Sequence, residues 1–135
     1  MTPLEQVDDV LTRAGTFYLA TVEGERPRCR PLAFHLLHGG RLYFAVGDFK
    51  AVYRQMQQNP RVEICAVADG TFLRYYGRAV FDSDPALAER VLDAMPAMRR
   101  LYNEQTGYRL ALFSLTGAVA EFRDQLTVRQ SYRLD

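Results

Sequence analysis

The chain is poor in several things that would have simplified its reading. It has two cysteines, Cys29 and Cys65, far apart in sequence. They fit neither a metal-ligand spacing nor a disulfide framework, so two small buried thiols in a reducing compartment are the expectation. No apolar run approaches the roughly 18 residues that a membrane helix needs. The first residues, Met1-Thr2-Pro3-Leu4-Glu5, have neither the basic nor the apolar part of a secretion signal, and a cytoplasmic protein is expected. Net charge is +1, too little to draw the chain onto nucleic acid. Repeats, linkers and low-complexity segments are absent, and 135 residues with 48% hydrophobic content fit one domain spanning 1–135. Lysine is also scarce: of seventeen basic residues, Lys50 is the single lysine.

What is present reads as an ordered run of elements. Thr2-Pro3-Leu4-Glu5 is a capping box with proline at the first helical position. Leu4, Val7, Val10, Leu11 and Ala14 then make one apolar face, and Gly15 closes a helix over residues 3–14. Residues 16–22 are a strand by composition, 23–26 a turn, and a second strand runs from Pro27 or Arg28 to Leu37. Gly39-Gly40 suits a hairpin turn into a third strand, 41–46. A helix follows and ends by Gln58, because Pro60 cannot continue it and biases Asn59 away from helical angles. Residues 61–68 and 71–81 form the next hairpin through Asp69-Gly70, with Gly77 placed for a bulge or a close backbone approach. Asp84 and Pro85 open a helical region that Pro96 interrupts. Residues 108–122 are a long last strand with Gly117 as a second bulge candidate. Its apolar content exceeds what one small core requires, which favours a dimer. The tail 123–135, with Leu126, Val128, Tyr132 and Leu134, is a short strand or an arm on a partner. The expected fold is α+β, mainly β: a six-stranded antiparallel split barrel with flanking helices, because closure removes exposed edges.

Residues 47–50 stand where a strand hands over to a helix N-terminus. Free backbone N–H groups and the positive end of the helix dipole meet there, which suits an anion such as phosphate. The lone Lys50 sits in this loop. Either the composition has drifted to arginine and left one lysine behind, or a compact ammonium is kept for a point contact with phosphate. Arg28 and Arg30 share strand parity and are either a charge clamp or a solvated face with apolar stems. His35 has the opposite parity, with Cys29, and reads as structural; His38 belongs to a turn. Gln55 is a surface residue or a polar contact near the loop. No nucleophile, base or carboxylate pair stands at a telling spacing, so the sequence nominates no catalytic residue.

Several runs together resemble the pyridoxamine 5′-phosphate oxidase-like family of flavin-binding split barrels. They are Arg28-x-Arg30-Pro31-Leu32, Leu42-Tyr43-Phe44, Lys50-Ala51-Val52-Tyr53-Arg54-Gln55, Asn59-Pro60-Arg61-Val62-Glu63 and Arg74-Tyr75-Tyr76-Gly77-Arg78-Ala79. The similarity is greatest to small members of the family and spans roughly residues 4–122. It implies a homodimer holding FMN in two grooves at the subunit interface. Arg30, Pro31, Leu32 and Phe34 would lie along the flavin, with Arg28 beside them. Val46, Gly47 and Lys50 would hold the phosphate, with Gln55 near it. The family often has Thr or Ser where this chain has Ala45, Val46 and Gly47, and the oxidase's substrate-binding His and Arg find no match in residues 123–135. The implied activity is an FMN-dependent oxidoreductase acting on a small molecule with electrons from NAD(P)H. The cofactor carries such chemistry and the protein supplies binding and electrostatics. A non-enzymatic flavin- or haem-binding protein, a deazaflavin-dependent reductase and a dimer that has lost its cofactor are the alternatives.

Overall fold

The computed structural model describes residues 1–124 and 127–135. Helix α1, Pro3–Ala14, opens on the expected reciprocal cap: Thr2 Oγ1 accepts from the Glu5 N–H and the Glu5 carboxylate accepts from the Thr2 N–H, both at 3.1 Å. Gly15 ends it at φ 77°, a conformation that costs a residue with a Cβ. Four strands follow, β1 Phe17–Glu23, β2 Arg26–Leu32, β3 His35–His38 and β4 Arg41–Gly47. Helix α2, Ala51–Gln58, leads to the β5 Arg61–Ala68 and β6 Thr71–Asp82 hairpin. Helix α3, Pro85–Ala94, and a 3-10 turn, Pro96–Arg100, precede β7 Leu110–Arg123 and β8 Val128–Leu134.

All pairings are antiparallel, in the order β2-β1-β5-β6-β7-β4-β3, with β8 beside β7. The two ends of this path, β2 and β3, are separated in sequence only by Ala33-Phe34, so the sheet curls round on itself as a split barrel. Among the described residues the strands number eight, not six. The expected second strand is two: β2 pairs with β1 and β3 with β4, because the chain crosses the split at Ala33-Phe34 and cannot serve both edges as one strand. The tail supplies β8; of its apolar residues, Leu126 lies outside the described residues.

The break also resets side-chain parity. Arg30 and Leu32 sit opposite Leu19 and Phe17 on the inner face. His35, expected on the other face with Cys29, instead meets Phe17 edge-on and lies 2.6 Å from Asp8 and 3.4 Å from Thr12 on α1. It ties α1 to β3, the structural role expected of it. The cysteines depart from expectation: Cys29 is exposed and Cys65 half-buried, both on the outer face flanking β1, which no helix covers.

Gly77 and Gly117 belong to one bulge. Tyr76 pairs with Val119 and Arg78 with Thr116, so Gly77 faces both Gly117 and Ala118. Gly117 takes φ 57°, and a Cβ on Gly77 would lie 2.8 Å from the Thr116 carbonyl oxygen. That is the combination of left-handed glycine and close backbone that sharpens strand twist.

The main core joins Val7 and Leu11 of α1 to Phe17, Leu19, Phe44, Ile64, Leu73, Tyr75 and Phe113 of the sheet. A second cluster packs α3, through Leu87 and Val91, on Tyr43 and Leu112. Part of the apolar surplus of β7 is thus taken up by α3 as well as by the core.

Candidate functional site

The junction of β4 and α2 forms as the sequence requires. Val46 and Gly47 are buried at the end of β4. The Lys50 N–H donates to the Gly47 carbonyl at 3.1 Å, which closes a turn, and the Lys50 carbonyl accepts from the Tyr53 N–H at 3.1 Å. Lys50 is the N-cap of α2, but no side chain caps the helix there. Its ammonium is exposed, makes no ion pair among the described residues and stands 5.9 Å from the centre of the Phe49 ring. The turn is braced from behind: Asp48 exchanges hydrogen bonds with the Arg109 backbone, and Phe49 stacks on Tyr108 with ring centres 4.1 Å apart. Gly47 is required by this bracing, since a Cβ there would come within 2.6 Å of the Tyr102 hydroxyl. The result is a braced turn presenting an uncapped helix N-terminus, with the Lys50 ammonium unpaired among the described residues. Both attract an anion.

A polar network lies along the inner side of β1, β2 and α2. Arg30 is half-buried and its guanidinium donates to Thr21 Oγ1 at 2.6 Å, Gln55 Oε1 at 2.7 Å and the Leu19 carbonyl at 3.2 Å. Thr21 also donates to Gln55 Oε1 at 2.6 Å. Gln55 is only 6% exposed, which excludes the surface reading, and its amide nitrogen is 3.4 Å from Glu23. Glu23 pairs with Arg28 at 2.8 Å on the exposed side. Burial lowers the Arg30 pKa, whereas the hydrogen bond from Arg28 lowers that of Glu23. A neutral Gln55 oxygen thus carries two donors and replaces water for a partly desolvated guanidinium.

Of the nine residues nominated from sequence, the structure gathers two groups and separates a third. Arg30 and Gln55 are bonded, with Arg28 joined to them through Glu23. Val46, Gly47 and Lys50 share the β4–α2 turn. Pro31 is exposed on β2 and Leu32 packs on the main core. Phe34, past the break, packs on the second cluster with Tyr43 and α3, so the four residues 30, 31, 32 and 34 do not form one stripe. Thr21 and Glu23 were not nominated. Thr21's alternation with Leu19 was legible, whereas Glu23 was read into the turn and extends β1 instead; the tie of Thr21 to a glutamine 34 residues away was not legible.

No group of three or more His, Cys, Asp or Glu able to hold a metal occurs among the described residues. No helix there is long and apolar enough to cross a membrane. The fold is that of a split-barrel protein, with an uncapped helix N-terminus at the β4–α2 turn. Residues 3–122 match the pyridoxamine 5′-phosphate oxidase family model, and the chain belongs to that family. Among solved structures, a NimC/NimA family protein from Clostridium acetobutylicum superposes with a TM-score of 0.87 at 28% identity, over 99% of this chain and 95% of that one. A pyridoxamine 5′-phosphate oxidase-related, FMN binding protein from Nostoc punctiforme has a TM-score of 0.59 at 19% identity, covering 100% and 98%. A heme binding protein from Mycobacterium smegmatis has 0.69 at 20%, covering 92% of this chain and 55% of that one. No curated protein sequence matches the chain.

Proposed function

We propose that the protein is an FMN-dependent oxidoreductase acting on a small organic molecule, a homodimer with FMN at the subunit interface and NAD(P)H as electron source. The observation that carries this reading is the β4–α2 turn, where the N-terminus of α2 has no side-chain cap, the Asp48 carboxylate is turned to the Arg109 N–H, and the exposed Lys50 ammonium makes no ion pair among the described residues. Lys50 and the first N–H groups of α2 would hold the FMN phosphate. Val46 and Gly47 set the turn, and Arg28, Arg30, Pro31 and Leu32 border the flavin. Arg30 has donors committed to Thr21, Gln55 and Leu19, so it positions charge near the flavin with a fixed guanidinium. Phe34, packed toward α3, bounds the site from the other side of the barrel split. Bound FMN supplies the redox chemistry, and this chain's residues hold and orient it. The Nostoc neighbour's description as an FMN binding protein supports the cofactor.

The dimer is supported by the outer face of β2, β1 and β5. Val67 is 68% and Tyr18 49% exposed there, beside the exposed Pro27, Cys29 and Pro31. Such an uncovered apolar face is characteristic of an interface.

A haem-binding reading has the name of the Mycobacterium neighbour behind it. Against it, the chain has two histidines, and His35 is engaged by Asp8 and Thr12. Anaerobic addition of NADPH or NADH to the FMN-loaded protein separates the readings. Bleaching of the flavin band, restored by an electron acceptor, is expected of an oxidoreductase; a band that neither nucleotide bleaches contradicts the enzymatic reading.

A further inference from the structure

A cleft of about 630 Å³ opens between α2, the end of β6, α3 and the segment leading into β7. Its walls include Tyr53, Phe81, Tyr102 and Tyr108. Tyr53 and Phe81 meet edge to face at 5.1 Å, so the cleft presents ring faces and edges in a fixed arrangement. Its charge is one-sided. Asp48, Asp82, Asp84, Glu89 and Glu104 line it against the single guanidinium of Arg109, in a chain whose net charge is +1.

The aspartates are held in place by donors. Asp82 accepts from the Tyr43 hydroxyl at 3.1 Å and from the Asp84 N–H at 2.9 Å. Asp48 accepts from the Arg109 N–H at 3.0 Å and Asp84 from the Ala86 N–H at 3.0 Å. Glu89 is paired with Arg99, whereas Glu104 makes no ion pair among the described residues.

A separate observation points to a ligand. Tyr102 is 8% exposed and lines the cleft, yet its hydroxyl has no hydrogen-bond partner among the described residues. Burial, then the charge of Asp48, raises its pKa, so it stays a neutral donor. The hydroxyl keeps its donor free on the cleft wall for an acceptor that enters.

We propose that this cleft binds a small organic cation with an aromatic body: its ammonium among the carboxylates and ring faces, and a hydrogen-bond acceptor at the Tyr102 hydroxyl. Ring faces attract cations, and the carboxylates reject anions of the same shape. As a statement about substrate this rests on the flavin reading, since Asp48 adjoins the Lys50 turn; as a statement about binding it stands without it.

The test uses the full chain, with and without FMN, and three probes: benzoylcholine, benzyltrimethylammonium and benzoate. Binding is read from backbone amide shifts. Both cations are expected to move the amides of Tyr102, Tyr108 and Asp82 saturably, and benzoate is not. Asp82→Asn, which keeps the acceptor and removes the charge, should weaken both cations. Tyr102→Phe should weaken benzoylcholine roughly threefold to tenfold, the value of one hydrogen bond, and leave benzyltrimethylammonium unchanged. A merely structural tyrosine would move both alike. The inference is overturned if benzoate binds as well as the cations, if neither cation shifts these amides at millimolar concentration, or if Tyr102→Phe affects both cations equally. FMN titration of the same samples keeps the two claims apart: cation binding without FMN binding sinks the flavin reading alone, and FMN binding without cation binding sinks this one alone.

Discussion

Replacing Lys50 by alanine should strip the protein of FMN while leaving its fold intact. Lys50 holds the turn through its backbone, with the N–H on Gly47 and the carbonyl on Tyr53, and both bonds survive truncation of the side chain. The side chain itself is exposed and its only described contact is the face of Phe49 at 5.9 Å. An exposed cation–ring contact is worth about 0.5–1 kcal/mol, so the apo variant should melt within a few degrees of the apo parent. A charge-assisted contact to phosphate contributes roughly 1.5–3 kcal/mol, a loss of about tenfold to hundredfold in affinity. Lys50→Arg should fall between, because the charge stays while a planar fork replaces a point donor. The assay is FMN titration by fluorescence quenching, with thermal melts of the apo forms alongside. Undiminished FMN affinity in Lys50→Ala would refute the reasoning: the sole lysine would be a compositional accident and the phosphate site would lie elsewhere. A large drop in apo stability would instead make Lys50 structural.

Three other outcomes follow from the packing. Gly77→Ala places a methyl group 2.8 Å from the Thr116 carbonyl and 3.0 Å from the Ala118 Cα, both backbone atoms that cannot step aside, and should cost about 1–3 kcal/mol in chemical denaturation. Gln55→Leu removes the oxygen shared by Arg30 and Thr21 and should cost about 1–3 kcal/mol, with Gln55→Glu recovering part of it by keeping an acceptor. Glu121 is held below its ordinary carboxylate pKa by the Tyr76 hydroxyl first and Arg123 next. A depressed folded pKa contributes stability that is present above the unfolded value near 4.5 and is lost as pH falls through the lower folded value. Melts on either side of pH 4.5 should therefore show the parent losing more of its advantage over Glu121→Gln on the acid side, and parallel curves would contradict the assignment.

Local chemistry made much of this fold legible. The capping box of α1, the prolines bounding α2 and opening α3, and the glycines of the β6–β7 bulge each impose a conformation within a few residues. What stayed hidden depends on contacts distant in sequence. Nothing around Ala33-Phe34 announces a break, because both flanking runs are sound strands; the barrel split interrupts them. That break displaced Phe34 toward α3 and turned His35 to the inner face. The expected burial of Cys29 and Cys65 failed for a similar reason: alternation says that two faces differ, but the position of α1 decides which is covered. Within the site, the β4–α2 turn and Lys50 were readable because a strand, a glycine and a helix start are adjacent. The clasp of Gln55 on Arg30 and Thr21 was not, since it joins three elements brought together only by barrel closure.

The most direct test of the account is the visible spectrum and bound-cofactor mass of the purified protein, measured with its molar mass by light scattering. The account predicts a flavin spectrum, FMN recovered on denaturation at one per chain, and a dimer. A colourless monomer that takes up no FMN on titration would contradict it.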